Sequence, residues 1–78
     1  MPTLLIWQGY KFRFYALDVD EPAHIHIVKD SRSMKIWLHN LEVAHNRGYN
    51  DRETNKLLAI VAERRDEWIG TWNDFFGL

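Results

Sequence analysis

The segment His24-Ile25-His26, with His39 further along, holds the residues in this chain best suited to chemistry. On a β-strand, residues i and i+2 project from one side about 6.5–7 Å apart, and a direct cross-strand neighbour lies about 5 Å away. If the second hairpin turns at Ser31-Arg32, His39 falls opposite His24, and three imidazoles can converge on one ion. Three protein ligands with an open position form the pattern of catalytic zinc. His24, His26 and His39 are therefore the candidate ligands of a divalent metal such as zinc. His45 stands in a stretch whose path the sequence leaves open. The plainer alternative is that the histidines are polar residues on the solvent face of a sheet, or hydrogen-bond partners of the acidic loop residues Asp18, Asp20 and Glu21. Without metal, His24 and His26 could act as acid and base on a phosphodiester, with Lys35 or Arg13 stabilising the oxyanion. No nucleophile motif or glycine-rich phosphate loop accompanies them.

Aromatic residues make a second constellation. Trp68, Trp72, Phe75 and Phe76 recur at helical spacing near the C-terminus, a pattern of core stripes and also of docking ridges. Trp37 shares the His24/His26 sheet face. Trp37, Trp72, Phe75 and Phe76 are the candidate partner-binding residues.

The elements that position these groups follow from periodicity. Leu5, Trp7, Tyr10, Phe12 and Phe14 alternate across a break at Gln8-Gly9, which reads as a hairpin pairing Trp7 with Tyr10, Leu5 with Phe12 and Thr3 with Phe14. Lys11 and Arg13 then point the other way. Asp18–Ala23 reads as a loop. His24–Lys29 and Met34–His39 form a second hairpin in which Ile25 faces Leu38, Ile27 faces Ile36, His26 faces Trp37 and His24 faces His39. A short strand at Leu41–Ala44 and a turn at Gly48 follow. From Asp51 the period becomes 3.6, with Asn50 as N-cap, Glu53 three residues on, and Gly77 as the stop. One helix over Asp51–Phe76 would be about 39 Å long, against about 30 Å for the whole domain. Either it breaks near Asp66, where Glu63-Arg64-Arg65-Asp66-Glu67 interrupts the apolar stripe, or it overhangs and exposes Trp72, Phe75 and Phe76. The fold expected is α+β, an antiparallel meander of four to five strands packed against a long or broken C-terminal helix, as a single domain over residues 1–78.

Composition bounds the function. A chain of 78 residues, 46% hydrophobic with four tryptophans, supports one folded domain. Without cysteine, disulfides, thiol nucleophiles and cysteine zinc sites are excluded. A net charge of −1 argues against broad nucleic-acid binding. No run is long enough to span a membrane and the start lacks a secretory signature, so the cytosol is the expected compartment.

Several segments together look familiar. Met1-Pro2-Thr3, Gly9, Glu21-Pro22-Ala23-His24-Ile25-His26-Ile27, Lys35-Ile36-Trp37-Leu38, Asn46-Arg47-Gly48-Tyr49 and Trp72-Asn73-Asp74-Phe75-Phe76 resemble a small bacterial family catalogued as domain of unknown function 4160. Its members usually carry a second proline where this chain has Ala23, and Asp where it has His39, so a three-histidine cluster would be particular to this sequence. The resemblance implies a two-gene arrangement similar to a toxin–antitoxin module, with this kind of protein as the toxin. It makes His24 and His26 the foremost functional residues. Two classes of function follow: an interaction protein that binds a small cognate protein encoded nearby, or a second copy of itself, and a small hydrolase or nuclease built on the histidine cluster.

Overall fold

The computed structural model describes residues 3–78, which leaves Met1 and Pro2 of the familiar segments outside it. Five strands in simple sequence order form one antiparallel sheet: β1 (Thr3–Trp7), β2 (Tyr10–Arg13), β3 (His24–Lys29), β4 (Arg32–Trp37) and β5 (Val43–Arg47). A 3₁₀ turn, Ala16–Asp20, separates β2 from β3, where a plain loop was expected. The 26-residue helix α1 (Asp51–Phe76) closes the chain.

Gln8 and Gly9 both take positive φ, 49° and 84°. Two consecutive left-handed residues match the twist of the flanking strands, which is why a Gln-Gly pair makes this tight turn. Trp7 pairs with Tyr10 and Leu5 with Phe12, but a bulge sets Thr3 beside Arg13 rather than Phe14. The second hairpin differs from expectation by two residues. Lys29 pairs with Arg32 across Asp30-Ser31, and Asp30 takes φ 55°, which its short polar side chain tolerates. A two-residue slip preserves the faces and changes every partner: Ile25 meets Ile36, His26 meets Lys35 and His24 meets Trp37. The fifth strand is also displaced from the expected Leu41–Ala44, to Val43–Arg47, after Leu41 turns at φ 60°.

The helix packs on the face carrying Phe12, Ile25, Ile27, Met34 and Ile36, all 0–1% exposed. It contributes Leu57, Val61, Trp68 and Trp72 to that core. Trp68 lies against Phe12 at 5.6 Å between ring centres. α1 is continuous through Arg64-Arg65-Asp66, contrary to the broken alternative. Val61 and Trp68 are two turns apart, so the apolar stripe resumes on the same side. Arg65 spans the gap by donating from Nη2 to the His39 carbonyl at 2.6 Å. The molecule accommodates the helix by elongating to 35 × 22 × 20 Å, with a radius of gyration of 11.6 Å.

Asn50 caps α1: its side chain accepts from the Glu53 N–H at 2.8 Å. Glu53 Oε2 in turn accepts from the Tyr10 hydroxyl at 2.7 Å and Arg32 Nη1 at 2.9 Å, tying helix to sheet. The Tyr10 hydrogen bond above all, then the Asn50 N–H and Arg32, hold the Glu53 carboxyl below its ordinary value, against the opposing effect of burial. A carboxyl depressed on folding stabilises the native state above its unfolded value and loses that contribution as pH falls through the folded value. The thermal midpoint should therefore fall as the pH drops below about 4.5. Calorimetry of Glu53→Gln should show a lower midpoint near neutrality and a shallower acid slope; parallel profiles would remove Glu53 from this role.

Candidate functional site

The site is assembled where the 3₁₀ turn meets the start of β3. Within the turn, the Tyr15 N–H donates to Asp18 Oδ2 at 2.9 Å and the Asp18 N–H donates to the Tyr15 carbonyl at 2.9 Å. This pair of bonds aims the Asp18 carboxylate at the sheet. Pro22 then precedes β3, and its carbonyl accepts a hydrogen bond from His24 Nδ1 at 2.8 Å. A carbonyl can only accept, so Nδ1 carries the proton. In the neutral ring, Nε2 therefore presents a lone pair.

His24 Nε2, His26 Nε2 and Asp18 Oδ2 form a nearly equilateral triangle. Each histidine nitrogen lies 3.1 Å from the carboxylate oxygen, and the nitrogens are 3.2 Å apart. His24 is fully buried, while the His26 and Asp18 side chains are 21% and 14% exposed. The His24 ring is enclosed by Trp37 at 5.5 Å, Trp72 at 5.0 Å and His26 at 4.9 Å; Tyr15 stands 4.8 Å from His26. Burial opposes ionisation of Asp18, but the Tyr15 N–H and the two imidazoles outweigh it and keep the carboxyl below its usual range. His26 is also shifted down, first by burial and then by His24 and Lys35, against the pull of Asp18. Near neutral pH the cluster combines a carboxylate with a neutral His26 ring.

His39 is elsewhere. The tight turn at Asp30-Ser31 ends β4 at Trp37, so His39 falls in the following turn, exposed, with its ring 6.3 Å from that of Trp37. Asp18 occupies the third corner instead. The sequence contained one signal for this: Asp18 lies in the acidic loop just before the histidines, within reach as a hydrogen-bond partner. His45 is exposed on β5 opposite Lys35.

The outer face of the sheet continues from His26. Cross-strand pairing puts Arg13, His26, Lys35 and His45 in one row, with Lys11, Val28, Ser33 and Arg47 in the next. Lys35 is ion-paired to Glu21 and lies 4.5 Å over the Trp37 ring. The aromatic residues expected to dock a partner separate into two groups. Trp72 is 2% exposed and Phe76 half-buried, both packed on Phe14 at 5.0 and 5.6 Å, because the elongated domain extends under the helix end. Phe75 is 47% exposed, and Trp37 is half-buried beside the triad. A separate groove of about 420 Å³ between β1 and α1, lined mainly by Leu5, Trp7, Ala59 and Ile60, contains none of these groups.

A family model described as "Domain of unknown function (DUF4160)" matches residues 9–73. The chain belongs to this family. The DUF4160 segment includes the Asp18–His24–His26 triangle, the basic rows beside it and Trp72, while Phe75 and Phe76 lie after it. No curated protein and no solved structure matches the chain. Among the described residues, no helix is long and apolar enough to cross a membrane.

Proposed function

We propose that this protein works by binding in the cytosol, as the toxin member of a two-gene toxin–antitoxin-like module, and that it meets a small cognate protein on the outer sheet face and the β5 edge. The observation that carries this reading is the asymmetry of the sheet. One face is covered by α1; the other displays Lys11, Arg13, Lys35, Arg47 and Trp37 and ends in β5, every residue of which is exposed. An edge strand offers unpaired backbone groups for strand addition, and Arg with Trp is the composition enriched in interface centres. The familiar segments supply the two-gene context. The basic face favours an acidic partner.

The test is co-purification of the neighbouring gene product, together with its relief of the growth inhibition that expression of this chain alone causes. Lys11→Glu combined with Arg47→Glu should abolish both, and His26→Ala should preserve both. If the charge reversals leave both intact while His26→Ala abolishes growth inhibition, the binding reading fails.

That reverse result is the one expected of a second reading, a small hydrolase or nuclease. A specific observation favours it: His26 hydrogen-bonds Asp18 and is flanked in register by Arg13 and Lys35, an acid–base imidazole between two cations suited to a phosphodiester.

A further inference from the structure

We propose that Asp18 Oδ2, His24 Nε2 and His26 Nε2 bind one divalent transition-metal ion as a two-histidine, one-carboxylate face. The inference is independent of whether the outer sheet face serves binding or hydrolysis.

Three features of the geometry support it. The donor atoms are separated by 3.1, 3.1 and 3.2 Å. An ion about 2.1 Å from each would subtend ligand–metal–ligand angles of about 95–100°, between the octahedral and tetrahedral values. Second, the three atoms are short of protons. His24 donates through Nδ1 to Pro22, which in the Nδ1–H tautomer leaves the Nε2 lone pair turned inward; Asp18 is a carboxylate; His26 is the ring left to supply an N–H. When His26 takes the tautomer protonated at Nδ1, three lone pairs face one point, and a cation relieves their repulsion. Third, the supporting contacts are those a metal site needs. A ligating histidine commonly donates its other N–H to a backbone carbonyl, as His24 does to Pro22, and ligating carboxylates are themselves hydrogen-bonded, as Asp18 is by Tyr15.

The exposure pattern says where the rest of the coordination sphere lies. His24 is sealed beneath Trp37 and Trp72, whereas Asp18 and His26 reach the surface. Remaining positions therefore open outward past His26, toward Arg13 and Lys35, which pair with it across the sheet. Two imidazoles and one carboxylate suit Zn²⁺, Fe²⁺ or Co²⁺ better than Ca²⁺ or Mg²⁺, which prefer oxygen ligands. The set differs from the three-histidine cluster of the sequence by exchanging His39 for Asp18.

The test uses the full chain and Co²⁺, displaced by Zn²⁺. One equivalent should give visible d–d absorption and raise the thermal midpoint, and nitrogen NMR should place the metal on Nε2 of His24 and His26 with the His24 Nδ1 proton retained. Asp18→Asn and His26→Ala, checked for folding by near-ultraviolet circular dichroism, should each weaken binding by more than about tenfold. His39→Ala and His45→Ala should leave it unchanged. No uptake at micromolar metal by the folded wild-type chain overturns the proposal, as does uptake that survives both Asp18→Asn and His26→Ala. The NMR assignment keeps the test decisive if either variant fails to fold.

Discussion

Trp72→Ala is expected to destabilise the fold by about 3–5 kcal/mol, the range for removing a buried aromatic from a core. A domain of 78 residues has only about 4–12 kcal/mol in total. The indole is 2% exposed and touches Phe14, Phe76 and His24, with ring centres 4.7–5.0 Å away. Its loss would open a cavity under β2 and the start of β3 that a short helix end cannot refill. It would also remove the wall behind His24, so metal uptake should weaken even in whatever fraction remains folded. Urea denaturation of Trp72→Ala and Phe75→Ala distinguishes core from docking surface. The exposed Phe75 should cost less than half as much. Equal, small effects from both would mean that Trp72 is not a core residue.

Gly48→Ala should have the second large effect, for reasons of backbone rather than burial. Gly48 adopts φ 101°, and a Cβ there would lie 2.6 Å from Arg32 Cγ. Holding an alanine in that conformation costs of order 1–3 kcal/mol. Pushing the base of the Arg32 side chain aside adds an overpacking cost of similar size. The displacement matters because Arg32 supports two structures at once: its guanidinium bonds Glu53 at 2.9 Å and lies 5.2 Å over the Tyr49 ring. Tyr49, 6% exposed, donates its hydroxyl to the Ile27 and Arg32 carbonyls. Coupling between Gly48 and Arg32 can be read from a double-mutant cycle. Gly48→Ala should cost less in an Arg32→Ala background, where the clash with Cγ is gone but the strained φ and a 3.3 Å approach to Cβ remain. Strict additivity would show that the clash contributes nothing.

Local chemistry explains why much of the fold was legible. The Gln8-Gly9 turn, the alternating aromatics of β1 and β2 and the 3.6-residue stripe of α1 with its Asn50 and Glu53 cap depend on neighbours within a few residues. The faces of the second hairpin were equally readable. Its partners were not: a turn of two residues or of four preserves the same alternation, so both registers bury Ile25, Ile27 and Ile36. The choice rests on Asp30 accepting a left-handed conformation and on Arg32 remaining in the strand to reach Glu53, 21 residues away.

The same distinction governs the site. His24 and His26 share a face because they are two apart on one strand, and periodicity alone determined that. His39 was excluded, and Asp18 brought in, by the length of one turn and the course of a 3₁₀ segment, neither of which leaves a periodic trace. Trp72 belonged to an apolar stripe by spacing, but whether it faced core or solvent depended on how far the sheet and Phe14 extend beneath the helix. The sequence by itself determined an α+β meander under a capped helix, with a histidine pair sharing one side of a strand. Only the tertiary structure decided that a carboxylate completes that pair and that the tryptophan seals it, because both outcomes depend on distances between segments far apart in the chain.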